Sequence, residues 1–98
     1  MQEYLNAQHQ NRRSRMETLF DILTIIAAGA EKPTHIMYKA NLSWTIMQQN
    51  MRLLESQGLV VPSDDEGRRV YHLSEKGFAL LKQFQTIREG LMIENEMA

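Results

Sequence analysis

The side chains best suited to recognising another molecule lie on one face of a predicted helix over residues 43–57. On a helical wheel the apolar residues occupy one half, and the other half carries Thr45, Gln48, Gln49 and Arg52. An ordinary solvated helix face more often carries pairs of Glu and Lys. Glutamine can bond adenine, arginine can bond guanine, and a threonine methyl can contact thymine. Taken alone, the pattern fits reading of base edges in a DNA major groove and a solvated face without function equally well. The predicted hairpin and the basic segment described below favour DNA.

Arrangements for catalysis or metal binding find little support in the sequence. The chain contains no cysteine, which excludes disulfides, thiolate zinc sites and cysteine nucleophiles. His9, His35 and His72 have no carboxylate or second histidine at metal-ligand spacing. Ser63, Asp64 and His72 would share a mobile hairpin, which does not suit a catalytic triad. We therefore expect no enzyme, and the sequence identifies no metal, cofactor or small-molecule ligand.

Charge is distributed unevenly along the chain, although its sum is close to zero. Eleven basic and twelve acidic residues give a net charge of -1, which argues against a uniformly basic nucleic-acid coat. Between Arg12 and Arg52, however, six Lys or Arg residues occur with only three acidic residues. The acids collect at Asp64–Glu66 and near the C-terminus. A local patch that faces phosphates is therefore compatible with the composition.

The length of the chain predicts one domain, and the absence of cysteine suits a protein of the reducing cytoplasm. Ninety-eight residues, 43% of them hydrophobic, suffice for a single small core. The longest apolar run, Ile22–Ala28, is too short to span a bilayer, so no membrane association is expected. The polar stretch Met1–Asn11 lacks the apolar region of a signal peptide.

Capping and spacing signals predict the first two helices. Ser14 and Glu17 form a capping box, and apolar residues at spacings of three and four continue the first helix to Gly29. A short second helix runs to about residue 40. Either Thr34 caps this helix or Pro33 is its first residue.

The second half of the chain alternates between helical and β patterns. Ser43 caps the third helix, and a β-hairpin follows over residues 59–73 with turn chemistry at 62–67. Ser74 then caps a fourth helix that continues past Phe84. This order predicts a mainly α protein with a small β-hairpin (α+β), arranged as a winged helix-turn-helix with a C-terminal dimerisation helix.

Two motifs resemble those of a known family. Residues 34–44, Thr-His-Ile-Met-Tyr-Lys-Ala-Asn-Leu-Ser-Trp, are similar to the helix-turn-helix of a family of small archaeal winged-helix proteins that includes the ten-a chromatin proteins. Residues 71–77, Tyr-His-Leu-Ser-Glu-Lys-Gly, resemble the family's second signature, and the likeness spans roughly residues 12–84. It implies a DNA-binding protein, a transcriptional regulator or chromatin protein, that forms homodimers through its C-terminal helix.

The resemblance also implies which residues contact double-stranded DNA. Family members use the third helix and the wing, which correspond here to residues 43–57 and 60–71. By position, the expected DNA-binding residues are Ser43, Thr45, Gln48, Gln49 and Arg52 in the helix, and Arg68 and Arg69 in the wing.

Further phosphate contacts are expected outside the third helix. Tyr38 and Lys39 lie on the helix that would cross the DNA backbone, although packing of Tyr38 is an equal alternative. Arg12 and Arg13, clustered with Arg15, suit a phosphate clamp or a minor-groove arm, and a solubilising role is the equal alternative.

The predicted wing tip is acidic and supports a competing hypothesis. Asp64–Glu66 should be repelled by phosphate, which departs from the family pattern. The alternative function is a winged-helix module that docks on a protein within a larger assembly.

The predicted organisation is a flexible N-terminal arm at 1–13, a winged helix-turn-helix domain at 14–73 and a dimerisation helix at 74–98. In this last helix Phe78 and Leu81 are expected to anchor the helix to the body. A second stripe is expected to form the dimer interface, with the first helix or the arm as the alternative cover. Its members are Leu80, Phe84, Ile87 and Leu91.

Overall fold

The computed structural model describes the backbone of residues 13–97 and the side chains of residues 13–92. Predictions that concern Arg12 and the rest of the arm, residues 1–12, lie outside the described residues. Within the described part, four helices and one two-stranded antiparallel sheet confirm the predicted winged helix-turn-helix. The elements are α1 (Arg15–Ala27), α2 (Pro33–Ala40), α3 (Trp44–Ser56), β1 (Val60–Asp65), β2 (Arg68–Leu73) and α4 (Glu75–Met97).

Helices α1 and α3 begin at the serines that the sequence indicates. Ser14 Oγ accepts from the backbone N–H of Glu17 at 3.1 Å, and Ser43 Oγ accepts from that of Ile46 at 3.2 Å. Each bond satisfies a backbone donor that has no partner inside its helix. Helix α2 has no side-chain cap and starts with Pro33 in its first turn, which decides between the two alternatives for this helix.

The turn between α2 and α3 contains an asparagine in the left-handed backbone conformation. Asn41 has a φ of 55°, and its N–H donates to the carbonyl of Tyr38 at 3.1 Å. The N–H of Leu42 donates to the carbonyl of Met37 at 3.1 Å, which closes the end of α2. Asparagine tolerates this backbone region better than most residues. The chain therefore changes direction within three residues and presents α3 as the second helix of the motif.

The hairpin turn is shorter than the sequence suggests. We predict turn residues over 62–67, but β1 continues through Asp65 and only Glu66 and Gly67 connect the strands. Both connecting residues have positive φ, 52° and 81°, as the favoured two-residue hairpin turn requires. Asp65 lies opposite Arg68, and Asp64 lies opposite Arg69. These opposite charges favour strand pairing beyond the point where turn-forming residues begin.

The core lies between the three helices of the motif, the base of the hairpin and the start of α4. Its largest fully buried side chains come from α1, α2 and α3. The spacing of apolar residues also assigns Met16 and Ile46 to the apolar faces of α1 and α3, but both side chains are exposed. These largest fully buried side chains are Ile22, Leu23, Ile36, Met47, Met51 and Leu54.

The start of α4 packs tightly against the segment that connects α3 to β1. Ser74 Oγ accepts from the N–H of Gly77 at 3.0 Å and donates to the carbonyl of Gly58 at 2.6 Å. The N–H of Ser74 donates to the carbonyl of Leu59 at 3.0 Å. A Cβ placed on Gly77 would lie 2.1 Å from the Leu59 carbonyl oxygen. This contact explains why the 71–77 motif ends in glycine.

Farther along, α4 divides its apolar side chains between the body and solvent. Leu81 is buried as predicted, but Phe78 is 53% exposed, so its predicted anchoring role is wrong. Phe84 stacks on Phe20 of α1 with ring centroids 3.8 Å apart.

None of the described helices is long and apolar enough to cross a membrane.

Candidate nucleic-acid interface

Helix α3 has one buried face and one exposed face. The buried face comprises Met47, Asn50, Met51 and Leu54, whose directions at about 100° per residue cluster on one side of the axis. The exposed stripe lies opposite and is polar throughout. It consists of Thr45, Gln49, Arg52 and Ser56.

The predicted reading residues are not equally accessible. Thr45, Gln49 and Arg52 are exposed, whereas Gln48 is half-buried at the side of the helix. Ser43 is exposed, but its hydroxyl caps α3. The structure therefore brings three predicted residues onto one accessible stripe, with Gln48 beside them.

Asn50 is a polar residue of this helix that the sequence interpretation misses. Its side chain is 6% exposed, and its Nδ2 donates to the carbonyl of Ile46 at 2.8 Å. Its Oδ1 has no hydrogen-bond partner within residues 13–92. The wheel position of Asn50, next to Leu54 on the apolar half of the helix, is the signal that could have identified it as a buried residue.

A groove separates α3 from the hairpin, and we call it the wing groove. Its volume is about 340 Å³, and the indole of Trp44, 44% exposed, forms part of its wall. Aromatic, apolar and charged side chains all line it, so it can contact both a sugar ring and a phosphate. The lining residues are Pro33, Trp44, Gln48, Met51, Arg52, Glu55, Arg69 and Tyr71.

An ion pair connects the two walls of the wing groove. Arg69 Nη2 lies 3.5 Å from Glu55 Oε1, and the Arg69 guanidinium carbon lies 5.8 Å from the centre of the Tyr71 ring. Burial raises the pKa of Tyr71, the charge of Arg69 opposes this rise, and the charge of Glu55 adds to it. The predicted DNA contact Arg69 is therefore already engaged by an acidic residue of α3. Arg68 is exposed and lies opposite Asp65.

A second groove, of about 350 Å³, lies between α3 and the start of α1. Gln49 and the exposed Arg15 belong to its lining. Arg13 also lines it, but Arg13 Nη1 lies 2.6 Å from Asp21 Oδ2 and its Nη2 donates to the carbonyl of Ala40. These bonds tie α1 to the end of α2, so the expected phosphate contact of Arg13 would have to compete with them.

Helix α2 presents the other predicted backbone contacts to solvent. Tyr38 is 76% exposed, which argues against the alternative that this ring is packed, and Lys39 is exposed beside it. Both residues lie in the last turn of α2, directly before the turn into α3.

His35 and His72, the two histidines of the described residues, do not form a metal site there, and His9 lies outside these residues. His72 Nε2 lies 3.1 Å from Glu31 Oε1, a pair that joins the hairpin to the α1–α2 loop. Within residues 13–92 no group of three His, Asp or Glu side chains could hold a metal ion.

Comparison with known families and structures gives consistent matches over most of the chain. A family model described as winged helix-turn-helix matches residues 12–91. An uncharacterized protein of Methanocaldococcus jannaschii is 31% identical over 84 residues, which are 86% of this chain and 82% of that protein.

Two solved structures extend the comparison. Sso10a-2, a DNA-binding protein from Sulfolobus solfataricus, is 28% identical with a TM-score of 0.67, covering 86% of this chain and 90% of that chain. A homodimeric winged helix-turn-helix DNA-binding domain from Mycobacterium bovis is 22% identical with a TM-score of 0.69. That match covers 78% of this chain and 71% of the other, and at this identity it supports the fold.

Proposed function

Since this chain belongs to the winged helix-turn-helix family, we propose that it is a transcriptional regulator that reads the DNA major groove with α3. The observation that carries the proposal is the exposed polar stripe of α3, which lies opposite the buried face. Sso10a-2, similar over 86% of this chain, is a DNA-binding protein. Proteins of this fold are typically not enzymes, and we propose no reaction.

The reading contacts follow from the accessibility of the stripe. In a helix-turn-helix the N-terminal part of the second helix enters the major groove. Thr45, Gln49 and Arg52 would then meet base edges, and Gln48 would reach them from the side of the wing groove. Ser43 would contribute chiefly by capping the helix that enters the groove.

Backbone contacts would surround this reading surface. Tyr38 and Lys39 at the end of α2 can reach one strand, and Arg15 can reach a phosphate near the start of α1. Arg68 in the wing is exposed, although the adjacent acids weaken the local positive potential. Such contacts set the orientation of α3 and carry no sequence information themselves.

We also propose that residues 74–98 pair two copies of the 14–73 domain. Ile87 and Leu91 of α4 are 62% and 58% exposed, and they continue the stripe begun by Leu80 and Phe84. In this chain Leu80 and Phe84 also pack partly on the body, so the free part of the stripe is its C-terminal half. The Mycobacterium bovis domain of the same fold is a homodimer.

The proposal predicts that Gln49→Ala relaxes sequence preference. We expect the variant to lose about 1–3 kcal/mol of discrimination at one base position, because a bidentate amide contact is removed. The measurement is fluorescence anisotropy with a duplex selected from random sequences and with its single-base variants. Gln85→Ala, an exposed glutamine of α4, is the matched control and should bind like the native chain. An equal loss of affinity on every duplex would contradict base reading by Gln49.

A further inference from the structure

We propose that Glu55 restrains the contact between Arg69 and the DNA backbone, an inference that rests on the proposed function. Because Glu55 binds the Arg69 guanidinium, the wing contacts the DNA backbone only weakly. A larger share of the binding free energy then comes from the exposed polar stripe of α3. Glu55 is thus a specificity-determining residue that need not touch a base.

The position of the wing groove supports this role. When α3 lies in a major groove, a sugar-phosphate strand borders that groove on each side. The hairpin stands beside α3, so the strand on that side must pass over the wing groove. Arg52 and Arg69 line this groove, and the exposed indole of Trp44 offers a surface for a deoxyribose.

Glu55 places a negative charge where that strand would lie. Its side chain is only 25% exposed, and its Oε1 is 3.5 Å from Arg69 Nη2. Asp64 lies opposite Arg69 in the hairpin register, so a second acidic residue stands on the neighbouring strand. A phosphate that approaches Arg69 must compete with these acids, and partly buried charges are screened less by salt than exposed ones.

A structural role alone does not account for the pair. Arg69 is largely exposed, and ion pairs of this kind contribute little to stability. The hairpin has other attachments, since the N–H of Tyr71 donates to the carbonyl of Glu31 at 2.9 Å and His72 pairs with the Glu31 side chain. Removing the charge of Glu55 should therefore leave the hairpin in place.

The test compares Glu55→Gln with Glu89→Gln, which removes the same charge from an exposed site on α4. Affinity for a duplex of arbitrary sequence is measured by fluorescence anisotropy between 50 and 200 mM salt. For Glu55→Gln we expect about a threefold to tenfold gain and a log–log salt slope steeper by about 0.9, since one more phosphate is contacted. Urea unfolding of each variant should match that of the native chain.

The double variant Glu55→Gln with Arg69→Gln separates this mechanism from a general charge effect. We expect Arg69→Gln to abolish the gain that Glu55→Gln produces. The inference is overturned if the gain in affinity persists without Arg69, or if Glu55→Gln binds the duplex like Glu89→Gln. In either case, binding of the duplex by the native chain would still support the proposed function. A native chain that binds no duplex at any salt concentration overturns both.

Discussion

Replacing Ile87 with Asp is expected to convert a native homodimer into a monomer. Ile87 is 62% exposed on α4, one turn from the exposed Leu91. Leaving such a side chain in water forgoes roughly 1.5–3 kcal/mol. A two-fold interface would contain the substitution twice, so two carboxylates would be placed in one apolar contact. Light scattering at micromolar concentration gives the mass of each variant.

The control for this experiment lies on the same helix. Gln85 is exposed and points well away from the apolar stripe, so Gln85→Asp should remain dimeric. A native chain that is monomeric at micromolar concentration, or an Ile87→Asp variant that stays dimeric, would show that this stripe is not the interface.

Replacing Gly77 with Ala is expected to cost about 3 kcal/mol of unfolding free energy or more. The added Cβ would lie 2.1 Å from the carbonyl oxygen of Leu59, a backbone atom that cannot rotate away. Relief of this overlap requires α4 to shift and strains the bonds that Ser74 makes with Gly58 and Leu59. Urea unfolding followed by circular dichroism measures the loss.

Gly90→Ala is the matched control, and its effect should have the opposite sign. Gly90 lies within α4, and a Cβ there meets no atom within 4 Å. Alanine at this position should stabilise the helix by about 0.5–1 kcal/mol. Equal effects of the two substitutions would contradict the account of the 71–77 motif.

Local signals were sufficient to predict most of the fold. The caps at Ser14, Ser43 and Ser74 depend on residues no more than three positions away, so the sequence contains the information that defines them. The length of the turn was harder to predict. The pairing of Asp64 with Arg69 across the strands decides whether the acidic residues belong to β1 or to the loop.

The candidate site could be predicted only in part, because several of its features join distant parts of the chain. The wheel places Thr45, Gln48, Gln49 and Arg52 on the exposed side of α3, and of these four only Gln48 is half-buried. No local pattern indicates that Arg13 bonds to Asp21 and the carbonyl of Ala40. The Glu55–Arg69 pair likewise depends on how the hairpin folds back onto α3.

The alternative of a protein-docking module makes a different prediction for the surface of α3. Its acidic neighbours, Glu55 and Asp64–Glu66, would then face a basic partner, and DNA would not compete for the stripe. The salt dependence of binding distinguishes the two functions, because release of counterions from DNA follows the number of phosphates contacted.

The central claim is tested most directly by titrating the native chain into a fluorescent duplex between 50 and 200 mM salt. If α3 and the basic side chains around it bind DNA, affinity should be measurable at low salt. The logarithm of the binding constant should then fall with the logarithm of the salt concentration, with a slope of about −0.9 for each phosphate contacted. This binding mode also predicts that Arg52→Gln weakens that affinity. Absence of binding at 50 mM salt, or binding that is unchanged in Arg52→Gln and independent of salt, would contradict the account.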